Sequence, residues 1–122
     1  MGLPIAKLIC ASNDNKVLYD FFSTGVYDRN REFYQTSSPS MDILISSNLE
    51  RLLYLVAGSE ETAKYMNELQ TKGVYKVSDE VMAKIQQDFC GYFCDEENTS
   101  ETIKNIYTSY NYLADTHSSV AI

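Results

Sequence analysis

Three times in this chain an apolar run with helical spacing stops at a glycine. Val17, Leu18, Phe21 and Phe22 fall at i, i+1, i+4 and i+5, and Gly25 follows. Leu49, Leu52, Leu53 and Val56 fall at i, i+3, i+4 and i+7, and Gly58 follows. A third run opens with Glu60 and Glu61, where the helix dipole favours acids, and ends near Lys72 and Gly73. A stripe of this period requires a helix that buries one face. A glycine just past the end supplies the left-handed C-cap. The helices are therefore short and separate, and the fold has to pack several of them around one core.

Other segments fill in the order. Lys7–Ala11 reads as a short buried strand, a compact run of Leu8, Ile9, Cys10 and Ala11 with Pro4 upstream. Val26–Ser40 has no period, holds two arginines and Pro39, and reads as a long loop, a kind that is often functional. Ser59 and Ser78 are placed to cap helices, the second carrying Val81, Met82, Ile85 and Phe89. Val74–Val77 and Cys90–Cys94 are strand candidates. Asp95–Ser100 reads as a polar loop, with Ser100 capping a last helix whose apolar face is Ile103, Ile106, Tyr107, Tyr110 and Leu113. The expected fold is α/β and helix-rich with a few short strands. The apolar end, Val120–Ala121–Ile122, suggests a segment taken from something longer.

At 122 residues the chain is long enough for one modest core. Its net charge of −7 excludes a nucleic-acid role, which needs a surplus of Lys and Arg, and argues against an anionic membrane surface. No stretch reaches the roughly 20 apolar residues of a membrane span, and no signal peptide is legible, so the expected compartment is the cytoplasm. Cys10, Cys90 and Cys94, with His117 as the one histidine, make neither a disulfide framework nor a metal set. The ten tyrosines are scattered, as expected for rings at the edge of a core with hydroxyls near water.

Three groups of residues are candidates for chemistry. Ser12, Asn13 and Asn15 lie between the first strand and the first helix, the place where open α/β sheets bind ligands; the same residues are also helix-capping types. The hydroxyl-rich run Thr36–Asp42 either cradles an anion through backbone N–H groups or is a polar loop ending in a cap. Asp115 and His117 are spaced for acid–base work or for a structural contact.

These groups resemble, in the same order, motifs of the threonine synthase family. Ala11-Ser12-Asn13-Asp14-Asn15 is similar to its strand-end motif. Ser38-Pro39-Ser40-Met41-Asp42-Ile43-Leu44-Ile45-Ser46-Ser47-Asn48-Leu49-Glu50-Arg51 is similar to its long central motif. Tyr112–Ala121 resembles its Asp-(Pro/Thr)-His-Thr-Ala-Val segment, with Ser118 and Ser119 where Thr and Ala are usual, and Gly2-Leu3-Pro4-Ile5 is also family-like. The resemblance spans essentially the whole chain.

The resemblance implies a single segment, residues 1–122, of the large domain of a fold-type II pyridoxal-phosphate enzyme. That lyase converts O-phosphohomoserine and water to threonine and phosphate, in threonine biosynthesis, with the cofactor as electron sink. It implies Asn13 and Asn15 near the cofactor, Ser38, Ser40 and Asp42 at the substrate, and Asp115 and His117 lining the site or bracing it. The Schiff-base lysine and phosphate loop of the family match nothing here, so no catalytic residue is assigned and the isolated chain is expected to be inactive. Self-association through uncovered apolar faces is a further expectation. The alternative is an acidic α/β interaction domain without catalysis, which has no reason to carry the Ser38–Arg51 motif.

Overall fold

The computed structural model describes residues 4–122, so Gly2 and Leu3 of the family-like Gly2–Ile5 stretch lie outside the described residues. The elements run β1 (Leu8–Ser12), α1 (Val17–Thr24), β2 (Val26–Asp28), a 3-10 turn (Pro39–Met41), α2 (Ser47–Ala57), α3 (Ser59–Lys72), β3 (Val74–Lys76), α4 (Asp79–Asp88), β4 (Phe89–Phe93), α5 (Glu96–Tyr110) and α6 (Thr116–Ser119). The chain has the α/β, helix-rich character expected from the sequence.

The strands form two small sheets. β1 and β4 pair in parallel, from Leu8 opposite Phe89 to Ser12 opposite Phe93. β2 and β3 pair antiparallel, with Tyr27 opposite Tyr75. The core lies between α1, α2, α3 and α4 and is built of Val17, Phe21, Leu49, Leu53, Tyr65, Leu69, Val81 and Ile85. Gly91 in β4 lets α1 approach closely: a Cβ there would sit 3.0 Å from the Tyr19 Cα and 3.1 Å from the Phe22 Cβ. Gly73 takes φ +77° at the end of α3, where an L side chain would be strained.

Several expectations are corrected. β1 is not buried: Ile9 is 63% and Leu8 42% exposed, and β4 is its one partner strand among the described residues. The stretch read as loop contains β2; three residues are too short to show a period, and they are strand because β3, some fifty residues on, pairs with them. Ser59 is the first helical residue, and the cap position belongs to Gly58. Ser100 lies inside α5, whose N-cap is Asp95, accepting from Asn98 N at 2.8 Å. The stripe predicted for α5 is only partly realised: the helix ends at Tyr110, short of the exposed Leu113; Ile103 and Ile106 are half-buried, Tyr107 and Tyr110 are exposed, and Thr99 is the one buried residue in the helix.

Six of the ten tyrosines, Tyr34, Tyr54, Tyr92, Tyr107, Tyr110 and Tyr112, are exposed, and Tyr19 is half-buried. Tyr27, Tyr65 and Tyr75 are in the core rather than at its edge. Their rings stack, Tyr27 on Tyr75 at 5.3 Å and Tyr65 on Tyr75 at 5.4 Å. Burial pushes the Tyr75 hydroxyl well above its ordinary pKa, with the neighbouring Tyr27 and Tyr65 adding to the shift. The Tyr27 hydroxyl reaches the edge of the column, donates to Leu44 O (3.0 Å) and accepts from Ser46 N (2.8 Å). It thereby ties the core to the chain that enters α2.

Candidate functional site

The seven residues proposed from the sequence, Asn13, Asn15, Ser38, Ser40, Asp42, Asp115 and His117, come from three stretches of chain and meet at the carboxyl end of β1. Asn13 and Asn15 follow the strand directly. Neither caps α1, whose N-cap position is Lys16 with no side-chain bond. They turn instead toward the loop that ends in the Pro39–Met41 turn.

The Asp42 carboxylate is the centre of the cluster. Oδ1 accepts from Thr36 Oγ1 (2.7 Å), Asn13 Nδ2 (2.8 Å) and Asn15 Nδ2 (3.0 Å), and Oδ2 accepts from Thr36 N (3.0 Å). None of these donors carries a charge. Desolvation pushes the Asp42 carboxyl up, but the Thr36 amide and hydroxyl and the two asparagine amides outweigh it and hold the group below the usual carboxylate range. Asp42 is therefore an ionised hub at neutral pH.

The asparagines are used up in this frame. Asn13, 1% exposed, also lies within reach of Thr36 Oγ1 (2.9 Å) and Ser38 Oγ (3.0 Å), and its Oδ1 accepts from Asn15 N (3.0 Å). Asn15, 3% exposed, donates to Tyr34 O (2.8 Å) and accepts from Tyr34 N (2.9 Å). Ser38 is fully buried, its hydroxyl held between Asn13 and Thr36.

The loop's outer side is held by the C-terminal helices. Ser37 N and Oγ each donate to a Glu96 carboxylate oxygen at 3.1 Å, and Ser40 N donates to His117 Nε2 at 3.2 Å. Asp115 caps α6, accepting from His117 N (2.9 Å), Ser118 N (3.0 Å) and Ser118 Oγ (2.6 Å). The bonds from the Ser118 hydroxyl and amide hold its carboxyl below the ordinary range. Asp115 Oδ1 is 3.6 Å from His117 Nδ1, too long for a hydrogen bond. Backbone amides of the loop thus do hold anions, as the hydroxyl-rich run suggested, but the anions are the chain's own Asp42 and Glu96. Thr36 and Glu96 are members of the cluster that the sequence reading did not assign to the site. Thr36 lay within the run already picked out; nothing in the sequence pairs Glu96 with Ser37, 59 residues away.

No family model matches the chain. The yeast Saccharomyces cerevisiae threonine synthase is 40% identical over 137 residues, which cover all of this chain and 27% of the relative. A human protein named threonine synthase-like 1 is 44% identical over 124 residues, 99% of this chain and 17% of the relative. The crystal structure of PLP-bound threonine synthase from Brucella melitensis superposes with a TM-score of 0.93 at 38% identity, covering 98% of this chain and 26% of that one. The chain matches a segment of the threonine synthases. A yeast threonine synthase structure agrees equally well, also with a TM-score of 0.93. The chain spans between about a sixth and about a quarter of the length of these relatives.

The cluster does not by itself fit pyridoxal phosphate. Attachment needs a lysine, and none of the seven lies in it. Lys7 donates to the Gln86 and Gln87 carbonyls; Lys16 sits over the Tyr19 and Phe93 rings; Lys64, Lys72 and Lys84 pair with glutamates on their own helices; Lys76 and Lys104 are exposed on β3 and α5. The amide hydrogens of Asn13 and Asn15 are already committed to partners within the chain. Among the described residues no helix is long and apolar enough to cross a membrane, and no group of three or more metal-ligating side chains converges.

Proposed function

We propose that this chain, residues 1–122, is one segment of a threonine synthase, the pyridoxal-phosphate lyase that converts O-phosphohomoserine and water to threonine and phosphate. The observation that carries this reading is the gathering of three separate family-like motifs into one hydrogen-bonded cluster at the carboxyl end of a parallel strand. That is where α/β proteins bind ligands. The likeness of the whole of this chain to a segment of threonine synthases supports it.

In this reading the chain supplies a wall of the active site. Asn13, Asn15, Ser38 and Asp42 are its frame beside the cofactor, rigid because every buried polar group in it has a partner. Ser40, Asp115 and His117 form the rim that faces substrate. The cofactor and its lysine are held by parts of the enzyme beyond this chain, so the chain alone has no activity. The three free thiols, Cys10, Cys90 and Cys94, support a reducing compartment, the cytoplasm. The exposed side chains of Ile9, Tyr92, Tyr107, Tyr110 and Leu113 support self-association of the isolated chain, to be read by sedimentation velocity.

The test is a titration of the chain with pyridoxal phosphate, followed by visible absorbance and borohydride reduction. The expected result is no imine band and no reduced lysine. A stoichiometric imine trapped on one lysine would overturn the proposal that the active site is completed from elsewhere.

A further inference from the structure

Of the hydroxyls in the Thr36–Ser40 run, those of Thr36, Ser37 and Ser38 are bonded within the chain, to Asp42, to Glu96 and to each other's neighbours. Among the described residues the Ser40 hydroxyl has no partner, and Ser40 is exposed. Its backbone N–H, in contrast, is fixed by His117 Nε2, 77 positions away in the chain. An N–H donor can be received only by a ring nitrogen without a proton. Accepting this N–H requires a neutral ring with its proton on Nδ1.

We propose that His117 is a positioning residue: a neutral Nδ1–H imidazole that accepts the Ser40 N–H, fixes the Pro39–Met41 turn against α6, and so holds the one unpaired hydroxyl of the loop in place for ligand. The geometry joins the central motif to the C-terminal one through a single contact. Asp42 anchors the same turn from the inner side, so Ser40 sits between a part-buried anchor and an exposed one. Among the described residues the charged group beside the imidazole is Asp115, the N-cap of α6, whose carboxylate is engaged by the His117 N–H and by the Ser118 N–H and hydroxyl. A hydrogen on Nε2 removes the acceptor, so a doubly protonated ring cannot hold the Ser40 N–H. The substrate-facing role of Ser40 rests on the threonine synthase reading; the tautomer and the bond do not.

The experiment is nitrogen-15 NMR of the intact 122-residue chain. Long-range ring correlations above the imidazole titration are expected to show a protonated Nδ1 and a bare Nε2. The Ser40 amide is expected to shift through that titration more than any amide outside residues 115–119. In H117Q, whose side-chain oxygen reaches the Nε2 position, the Ser40 amide keeps its low-field shift but no longer responds to pH; in H117A it moves upfield. An Nε2–H tautomer, or a Ser40 amide indifferent to the imidazole, overturns the proposal. The wild-type spectra decide this without any variant, and without cofactor, so a negative result leaves the enzyme assignment standing.

Discussion

Replacing Asp42 with asparagine keeps the shape of the hub and changes its chemistry, which makes the cost calculable. The asparagine oxygen can take the place of Oδ1 and still accept from Thr36 Oγ1, Asn13 and Asn15. Its NH2 group then faces Thr36 N–H, the donor now received by Oδ2 at 3.0 Å. Donor meets donor, and one backbone N–H loses its partner, at a cost of about 1–3 kcal/mol. The three remaining bonds weaken as the acceptor loses its charge. Because the four bonds act as one network, their losses do not add, and about 2–3 kcal/mol is expected in all. For a chain of this length that lowers the thermal midpoint by about 10 °C at neutral pH. The pH dependence gives an independent check. In the unfolded chain Asp42 titrates near about 4; in the folded chain its pKa is lower. Its contribution is then present in full above the unfolded pKa and is lost as pH falls through the folded one. The gap in midpoint between wild type and D42N, followed by circular dichroism, should be full at about pH 7 and should close below about pH 4. Equal midpoints at neutral pH, or a gap that persists in acid, would refute the reasoning.

Tyr27→Phe keeps the ring stack and removes the bonds to Leu44 O and Ser46 N; urea unfolding should show a loss of about 1–2 kcal/mol, with Ser46 N–H exchanging faster with solvent. Asp95→Ala should cost about 1 kcal/mol and fray the first turn of α5, whereas Ser100→Ala, inside the helix, should leave stability within about 0.5 kcal/mol. Equal effects of the two would contradict the placement of the cap.

The helices were legible because their signals are local. The stripe Leu49, Leu52, Leu53 and Val56 needs only its own spacing to declare a helix, and Gly25 and Gly73 mark ends because a left-handed φ is needed there. Elements that depend on a distant partner were not legible. β2 has three residues and exists because β3 pairs with it. Asp95 and Ser100 are both capping types a few residues apart, and nothing local chooses between them. The exposure of Leu8, Ile9 and the α5 stripe shows the converse: periodicity says which face is apolar, not whether anything covers it. The candidate site was legible as a set of residues, because the motif resemblance picked out Asn13, Ser38, Asp42 and His117 together. Its internal wiring was not. That Asn13 and Asn15 spend their amides on Asp42 follows from contacts 29 and 27 positions apart in the chain, which composition cannot reveal.

The central claim is tested most directly by exchanging the matching segment of the Saccharomyces cerevisiae threonine synthase for this chain and asking whether a yeast strain lacking its own enzyme grows without threonine. Growth, lost again when the exchanged segment carries Asp42→Ala, is the predicted result. A well-expressed, folded, cofactor-loaded chimera that supports no growth and releases no phosphate from O-phosphohomoserine would contradict the claim that this chain is a working wall of that active site.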